Sequence, residues 1–325
     1  MDSIINGSAM IHFPISGVET WWWLPLVTAF LLSSLTSTAG VTGAFLLLPF
    51  QVSVLGFVGP ATVSTNLLFN VIAIPGGVAQ FIRQKRVVWP LALTAGFGIM
   101  PGFVIGAILG INYFQDPRLF KLFVGLVLLY VGVRLAISTF RIKTAPNLGG
   151  RTFSPPLGRV KTRPPREHIV EPLVITDSSV NLRRLAYRLD GKRYQISTPG
   201  LLALCSGIGL VSGAYGVGGG ALLSPFLVAS FRQPVKAVSG AALISTFLVS
   251  TMGVLVYYAL SWFYAGTKIP VQPDWLLGGL FGLGGIAGIT VGSILQRWFP
   301  VKVIQIILLI CITIIVWNYV GGYFK

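Results

Sequence analysis

The chain has 325 residues, of which 54% are hydrophobic and only 10% charged, and its formal net charge is +16. Soluble domains carry roughly 25% charged residues, so this composition excludes an ordinary soluble protein. Runs of about 20 apolar residues recur along the chain, the length that a helix needs to cross a bilayer. We therefore predict an all-α polytopic membrane protein.

Four segments follow one another along the chain. Residues 1–20 form an N-terminal segment that lacks the basic start of a signal peptide. Residues 21–140 form a first transmembrane repeat, 141–198 a connector, and 199–325 a second transmembrane repeat. Two stretches are too long for one helix and each is split into two short helices, which gives ten crossings, or eight full spans if the split pairs are hairpins. The split stretches are 21–58 and 199–231, and the single spans are 60–82, 87–111, 118–140, 236–263, 274–296 and 301–320.

Both split stretches contain the same glycine-rich motif. The segment Gly40–Phe50 aligns with Gly216–Phe226 at an offset of 176 residues, and seven of the eleven positions are identical. Broken membrane helices at matching positions in two halves indicate the substrate site of a transporter. We therefore predict two repeats of about five helices, with the first helix pair of each repeat broken by glycine.

A second repeated feature is a row of glycines spaced four residues apart. Gly98, Gly102 and Gly106 in the first half correspond to Gly284, Gly288 and Gly292 in the second, at an offset of 186 residues. Small residues at this spacing let two helix backbones approach closely in a membrane. We predict that these glycines pack helices together and bind no ligand.

The connector 141–198 is rich in proline and carries 12 Lys and Arg against 4 acidic residues. Such loops stay on the cytoplasmic side of a membrane and attract anionic headgroups, an interpretation we prefer to nucleic-acid binding. With the connector inside and each split stretch crossing twice, the other loop cations divide into seven inside and four outside. A single crossing by each split stretch gives five and six instead. The charges thus favour repeats of inverted topology, with both termini outside the cell membrane.

The spans hold almost no acidic residues, and neither histidine lies in a span. We therefore expect no catalytic site, no metal site and no cofactor. The polar residues near the breaks are hydroxyls and amides, and helix N-termini there would present unpaired N–H groups to a small anion. The predicted substrate-binding residues are Gly40, Thr42, Gly43, Thr65, Asn66, Asn70, Gly218, Gly219, Gly220, Ser239 and Thr246.

The paired motifs Gly40–Phe50 and Gly216–Phe226, and the polar helices that begin at Pro60 and Pro234, resemble the signature of the TauE/SafE sulfite exporter family. The resemblance covers roughly 22–140 and 199–320. It implies secondary transport of sulfite or organosulfonates, with export as the usual direction, and a homodimer. The first motif departs from the family pattern at Thr42 and Ala44, and Ala242 and Thr246 stand where Asn66 and Asn70 stand in the first half.

Several alternatives stay open at this point. An anion channel would need a continuous polar pore, and a carrier of another small anion would use the same kind of site. An intramembrane enzyme would need a nucleophile with a base or a metal cluster, for which the spans supply no histidine. A membrane assembly factor would leave the paired broken helices without a purpose.

Overall fold

Helices make up most of the chain, and seven of the described helical stretches are long and apolar enough to cross a membrane. The computed structural model describes residues 10–38, 42–85, 87–140, 175–181, 183–189, 192–267, 269–295 and 301–323. The prediction of a mostly helical, multi-span membrane protein is confirmed. The described helices are α1 (Trp23–Thr38), α2 (Ala44–Ser53), α3 (Pro60–Ala73), α4 (Pro75–Arg83), α5 (Trp89–Tyr113), α6 (Pro117–Phe140), α7 (Thr198–Tyr215), α8 (Gly220–Ala229), α9 (Val235–Phe263), α10 (Trp275–Leu295) and α11 (Val301–Gly321).

The helix interruptions lie where the glycine-rich motifs lie. Helix α1 ends at Thr38 and α2 begins at Ala44, while α7 ends at Tyr215 and α8 begins at Gly220. Helices α2 and α8 have ten residues each, about 15 Å of helix. Each is therefore too short to cross a bilayer of about 30 Å alone. We call the two interruptions the first break and the second break.

The described residues include two small antiparallel sheets outside the helices, and the expectation of an all-α fold missed both of them. The first sheet pairs β1 (Met10–His12) with β2 (Glu19–Trp21). The second joins β3 (Ile175–Val180), β4 (Arg184–Leu189) and β5 (Lys192–Ser197) within the connector. The connector has too few apolar residues to span a membrane, but Leu185, Tyr187 and Ile196 suffice to bury one face of a sheet against the helices.

Each sheet leads directly into a broken helix pair and also holds the segment after it. Strand β2 runs into α1, and Phe13 and Val18 share a buried cluster with Phe57, which follows α2. Strand β5 runs into α7, and Tyr187 Oη of β4 donates a hydrogen bond to Gln233 Oε1, beyond α8, at 2.6 Å. Buried contacts thus connect the segment before each broken pair with the segment after it.

The glycine rows pack the first helix of each half against the other half. Helix α5 packs along α7, and α10 packs along α1. One helix of each half therefore packs against the first helix of the broken pair in the other half. A Cβ on any of four row glycines would collide with a carbonyl oxygen of the facing helix, which explains why these positions carry no side chain. The colliding pairs are Gly102 with Ser206, Gly106 with Leu210, Gly284 with Leu26, and Gly288 with Phe30.

Candidate functional site

The second break is built from three glycines with backbone conformations that L-residues rarely adopt. Gly216, Gly218 and Gly219 have φ angles of 76°, 79° and 81°. The N–H of Gly216 donates to Ser212 O at 2.7 Å, which closes α7, and the N–H of Leu223 donates to Gly219 O at 2.9 Å, which starts α8. Left-handed conformation costs other residues roughly 1–2 kcal/mol, so the glycines are what permits this abrupt turn.

Asn66 of α3 connects the two breaks. Its Nδ2 donates to Ala44 O, at the start of α2, at 2.9 Å and to Gly216 O, at the end of α7, at 3.0 Å. One turn further along α3, Asn70 Nδ2 donates to Val217 O at 3.4 Å. Both asparagine side chains are fully buried, and the Oδ1 atoms of both find no hydrogen-bond partner in the described part of the chain.

Two buried tyrosines satisfy further carbonyl groups next to the breaks. Tyr215 Oη donates to Phe45 O at 2.9 Å, and Tyr257 Oη donates to Gly213 O at 2.6 Å. Carbonyl groups at both breaks therefore have side-chain donors. In the first turns, the N–H of Leu46 donates to Gly43 O, that of Gly220 to Gly218 O and that of Leu222 to Gly219 O, each at 3.1 Å. The N-termini of α2 and α8 carry a partial positive charge, which favours an anion near them.

Gly218 marks the most crowded polar point of the second break. A Cβ on Gly218 would lie 2.5 Å from Ser250 Oγ, 2.8 Å from Thr246 Cγ2 and 3.3 Å from Asn70 Nδ2. Ser250 is buried and its hydroxyl has no partner among the described residues, and the same holds for Ser212. Residues of α3, of α9 and of the segment before α8 thus form one tightly packed polar cluster around Gly218, which we call the Gly218 cluster.

Thr246 and Gly220 form the close contact between α8 and α9. Thr246 Oγ1 donates to Ala242 O at 2.8 Å. A Cβ on Gly220 would collide with Thr246 Oγ1 and with Ala242 O. These two predicted site residues therefore lie together, next to Gly218.

The first break is less completely described. Gly40 lies outside the described residues. A Cβ on Gly43 would lie 2.8 Å from Ser33 Oγ and 3.4 Å from Phe69 Cζ. The hydroxyls of Ser33 and Thr42 are buried without a partner in the described part of the chain, as is the amide of Gln51. Sequence reasoning did not select Ser33 or Gln51, because a single polar residue in an apolar helix carries no distinguishing pattern.

Three other predicted site residues have different surroundings. Thr65 Oγ1 donates to Ala61 O at 2.7 Å and accepts from the N–H of Asp274 at 2.9 Å, so it connects α3 to the start of α10. The Cα of Gly219 faces apolar atoms of Ile99 and Ile208. Ser239 lies half-buried near the start of α9.

Asp274 and Arg134 are two charged residues whose contacts within the helical region are described. Asp274 is 1% exposed, and its carboxylate accepts hydrogen bonds from Ser16 and from the N–H of Leu277, which caps α10. The guanidinium carbon of Arg134 lies 5.8 Å and 5.5 Å from the ring centroids of Tyr130 and Phe226. In the described ranges, no three His, Cys, Asp or Glu side chains gather as a metal site would require.

Comparison with known proteins gives one match. The family model described as "Sulfite exporter TauE/SafE" matches residues 24–319, which is nearly the whole chain. No curated protein and no solved structure matches. The matched range includes both breaks, both glycine rows and the connector.

Proposed function

Because this chain belongs to the TauE/SafE sulfite exporter family, we propose that it is a secondary transporter that exports sulfite or an organosulfonate by alternating access. The family is one of membrane transporters of sulfur anions. The observation that carries the proposal is the Gly218 cluster, where the N-terminus of α8 meets the unpaired hydroxyl of Ser250.

The chemistry of the Gly218 cluster suits a small oxyanion. Helix N-termini attract anions through their free N–H groups and the helix dipole. The hydroxyls of Ser250 and Ser212 would add hydrogen-bond donors. The described residues of the Gly218 cluster carry no negative charge. The proposed binding residues are the predicted set, from Gly40, Thr42, Gly43, Thr65, Asn66 and Asn70 to Gly218, Gly219, Gly220, Ser239 and Thr246, with Ser212 and Ser250 added.

Burial favours a carrier over a channel. Asn66, Asn70, Ser212 and Ser250 are all fully buried, so these polar side chains have no contact with solvent in this conformation. A carrier passes through such an occluded state during alternating access. A conducting channel would need a continuous polar path across the membrane. A carrier of another small anion would be recognised in the flux measurements described below by its preference for that anion over sulfite.

Contacts between helix ends support repeats of inverted topology. In the proposed path, each broken pair starts and finishes at one end of the molecule, and three further crossings carry the first half from the end of the N-terminal sheet to the end of the connector sheet. The second half then runs the other way. Contacts at both ends agree with this path: Ser16 with Asp274 at one end, and Thr139 Oγ1 with Gln305 Oε1, 3.2 Å apart, at the other.

We assign the domains and location accordingly. Residues 21–140 and 199–325 are the two repeats in the cell membrane, 141–198 is a cytoplasmic connector, and residues 1–20 and the C-terminus lie outside. The partners are the bilayer, the small anion and, by family membership, a second copy of the chain.

Flux measurements on purified protein in liposomes test the proposal. We expect saturable uptake of radiolabelled sulfite that unlabelled sulfite and the organosulfonate isethionate reduce, while chloride, sulfate and a zwitterionic amino acid have little effect. Liposomes without protein are the control. Folded protein that carries none of these anions would contradict the proposed function, and a preference for chloride or sulfate would replace the substrate class.

A further inference from the structure

We propose that the buried amide oxygens of Asn66 and Asn70 select substrates that donate a hydrogen bond as well as accepting them. Among small sulfur oxyanions, this means hydrogensulfite or a hydroxyl-bearing sulfonate. The inference rests on the proposed function and concerns which anions the same site prefers. It is drawn from a difference between the two polar atoms of each amide: Nδ2 has hydrogen-bond partners and Oδ1 has none among the described residues.

The orientation of both amides follows from the chemistry of their neighbours. Ala44 O and Gly216 O only accept hydrogen bonds, so the group that faces them at 2.9 and 3.0 Å must be the Nδ2 of Asn66. A flipped amide would place its oxygen against two carbonyl oxygens. The same argument holds for Asn70 Nδ2, which faces Val217 O. Both Oδ1 atoms therefore point away from these carbonyls.

The Nδ2 groups of Asn66 and Asn70 therefore donate to backbone carbonyl oxygens. The two Oδ1 atoms are left as hydrogen-bond acceptors without a donor among the described residues. An acceptor that is buried without a donor is costly, so a ligand that donates gains more than one that does not. The Oδ1 atoms of Asn66 and Asn70 have no partner among the described residues. A fully ionised oxyanion offers only further acceptors and would be repelled by these oxygens.

Several of the protein's own donors near the breaks are already engaged. Tyr215 and Tyr257 donate to backbone carbonyls, and Thr246 donates to Ala242 O. The Ser212 and Ser250 hydroxyls, which have no partner among the described residues, remain for the ionised oxygens of the ligand. Hydrogensulfite matches this division, because its ionised oxygens accept while its acidic hydrogen is donated.

The absence of charge in this part of the site points the same way. Asn66, Asn70, Ser212, Ser250 and Thr246 are all neutral and buried. Burying an anion without an opposite charge is costly, and the cost grows with the charge. A site of this kind accommodates the hydrogensulfite monoanion better than the sulfite dianion.

Competition between two nearly isosteric anions tests the inference. Methanesulfinate has a methyl group where hydrogensulfite has a hydroxyl, and both are pyramidal monoanions. We would measure how well each unlabelled anion reduces the flux of radiolabelled sulfite into liposomes, at a mildly acidic pH where hydrogensulfite predominates. We expect methanesulfinate to compete about ten-fold less well or worse, since it leaves the amide oxygens unpaired.

A longer pair of ligands repeats the comparison with stable hydroxyl groups. Isethionate and propane-1-sulfonate have equal charge and length, and only isethionate has a donor. We expect isethionate to be the stronger competitor. Failure of both sulfonates to compete would restrict the inference to the smaller pair, which then decides it.

Substitutions test whether the amide oxygens cause the preference for hydrogensulfite over methanesulfinate. Asn70→Leu removes the acceptor at similar volume, and we expect it to bring the two small anions to within about two-fold of each other. Asn112→Leu is the matched control, because Asn112 is an exposed asparagine at the end of α5, and it should keep the preference. If Asn70→Leu does not fold, the comparison on the unaltered protein still decides.

The outcomes separate this inference from the proposed function. Equal competition by hydrogensulfite and methanesulfinate, with saturable sulfite flux, would overturn the inference and leave the function standing. A preference that vanishes when choline replaces Na⁺ would assign the amide oxygens to a cation and would also overturn it. Absence of any saturable sulfite flux would overturn the function and the inference with it.

Discussion

At the scale of single residues, Gly218 is the position where backbone conformation and ligand chemistry meet. Its φ angle is 79°, and a Cβ there would lie 2.5 Å from Ser250 Oγ. Alanine at a position with positive φ destabilises the fold, and this methyl group would also fill the proposed anion site. We expect Gly218→Ala to lower sulfite flux at least about ten-fold, from a strain of roughly 1–2 kcal/mol and the lost space.

The control for this variant lies on the preceding helix. Gly207 of α7 is exposed, and a Cβ there would meet nothing within 4 Å. Gly207→Ala should therefore keep full flux, since alanine favours helix over glycine. Equal flux from folded Gly218→Ala and Gly207→Ala proteins would remove Gly218 from the transport path.

Single residues also show how far the sequence reaches. Asn66 and Asn70 stood out because two amides share one face of an apolar helix. Their contacts could not be derived, since the carbonyls of Ala44, Gly216 and Val217 are distant in sequence and meet them only through tertiary packing. The sequence suggested amide donors for the anion, whereas the structure engages those donors with the backbone.

At the scale of elements, the glycine rows set how closely helices pack. A Cβ on Gly284 would collide with Leu26 O of α1, whereas a Cβ on Gly279, five residues earlier on the same helix, would meet nothing within 4 Å. We expect Gly284→Ala to destabilise the protein by about 1–3 kcal/mol, because the two helices must separate. Gly279→Ala should leave stability unchanged or slightly raised.

Thermal unfolding of the two alanine variants in detergent checks this prediction. The melting temperature of Gly284→Ala should fall by several degrees, of the order expected for such a destabilisation. Equal melting temperatures for both variants would mean that α10 and α1 tolerate a wider separation than the structure implies.

Sequence patterns predicted the long helices well and missed the short strands. The predicted span 87–111 corresponds to Trp89–Tyr113, because long apolar runs with no charge have few alternatives in a membrane. The sheet of the connector was missed. Its strands are short, and their burial depends on Tyr187 reaching Gln233 and on helices that the local sequence does not reveal.

At the scale of the whole molecule, the proposed topology has the connector sheet inside the cell and the loop between α9 and α10 outside. Gln195 on β5 and Thr267 after α9 are both exposed. In a background with Cys205 and Cys311 replaced by alanine, Gln195→Cys should react with an impermeant maleimide only after the membrane is opened. Thr267→Cys should react in intact cells, and labelling of both positions from one side would contradict the inverted arrangement.

The whole-molecule arrangement was accessible from sequence only through small differences in loop charge. The structure adds contacts that join distant helix ends, such as Ser16 with Asp274. Loop charge decides which side a segment occupies, while such contacts decide which ends belong together. Their agreement supports the proposed inverted arrangement of the two halves.

The most direct test of the central claim, that this protein carries sulfur anions by alternating access, is sulfite counterflow. Liposomes loaded with unlabelled sulfite and diluted into a trace of labelled sulfite should accumulate label transiently above equilibrium, because a loaded carrier returns faster than an empty one. Equal label entry into loaded and empty liposomes, with saturable entry in neither, would contradict a carrier and favour a channel or no transport.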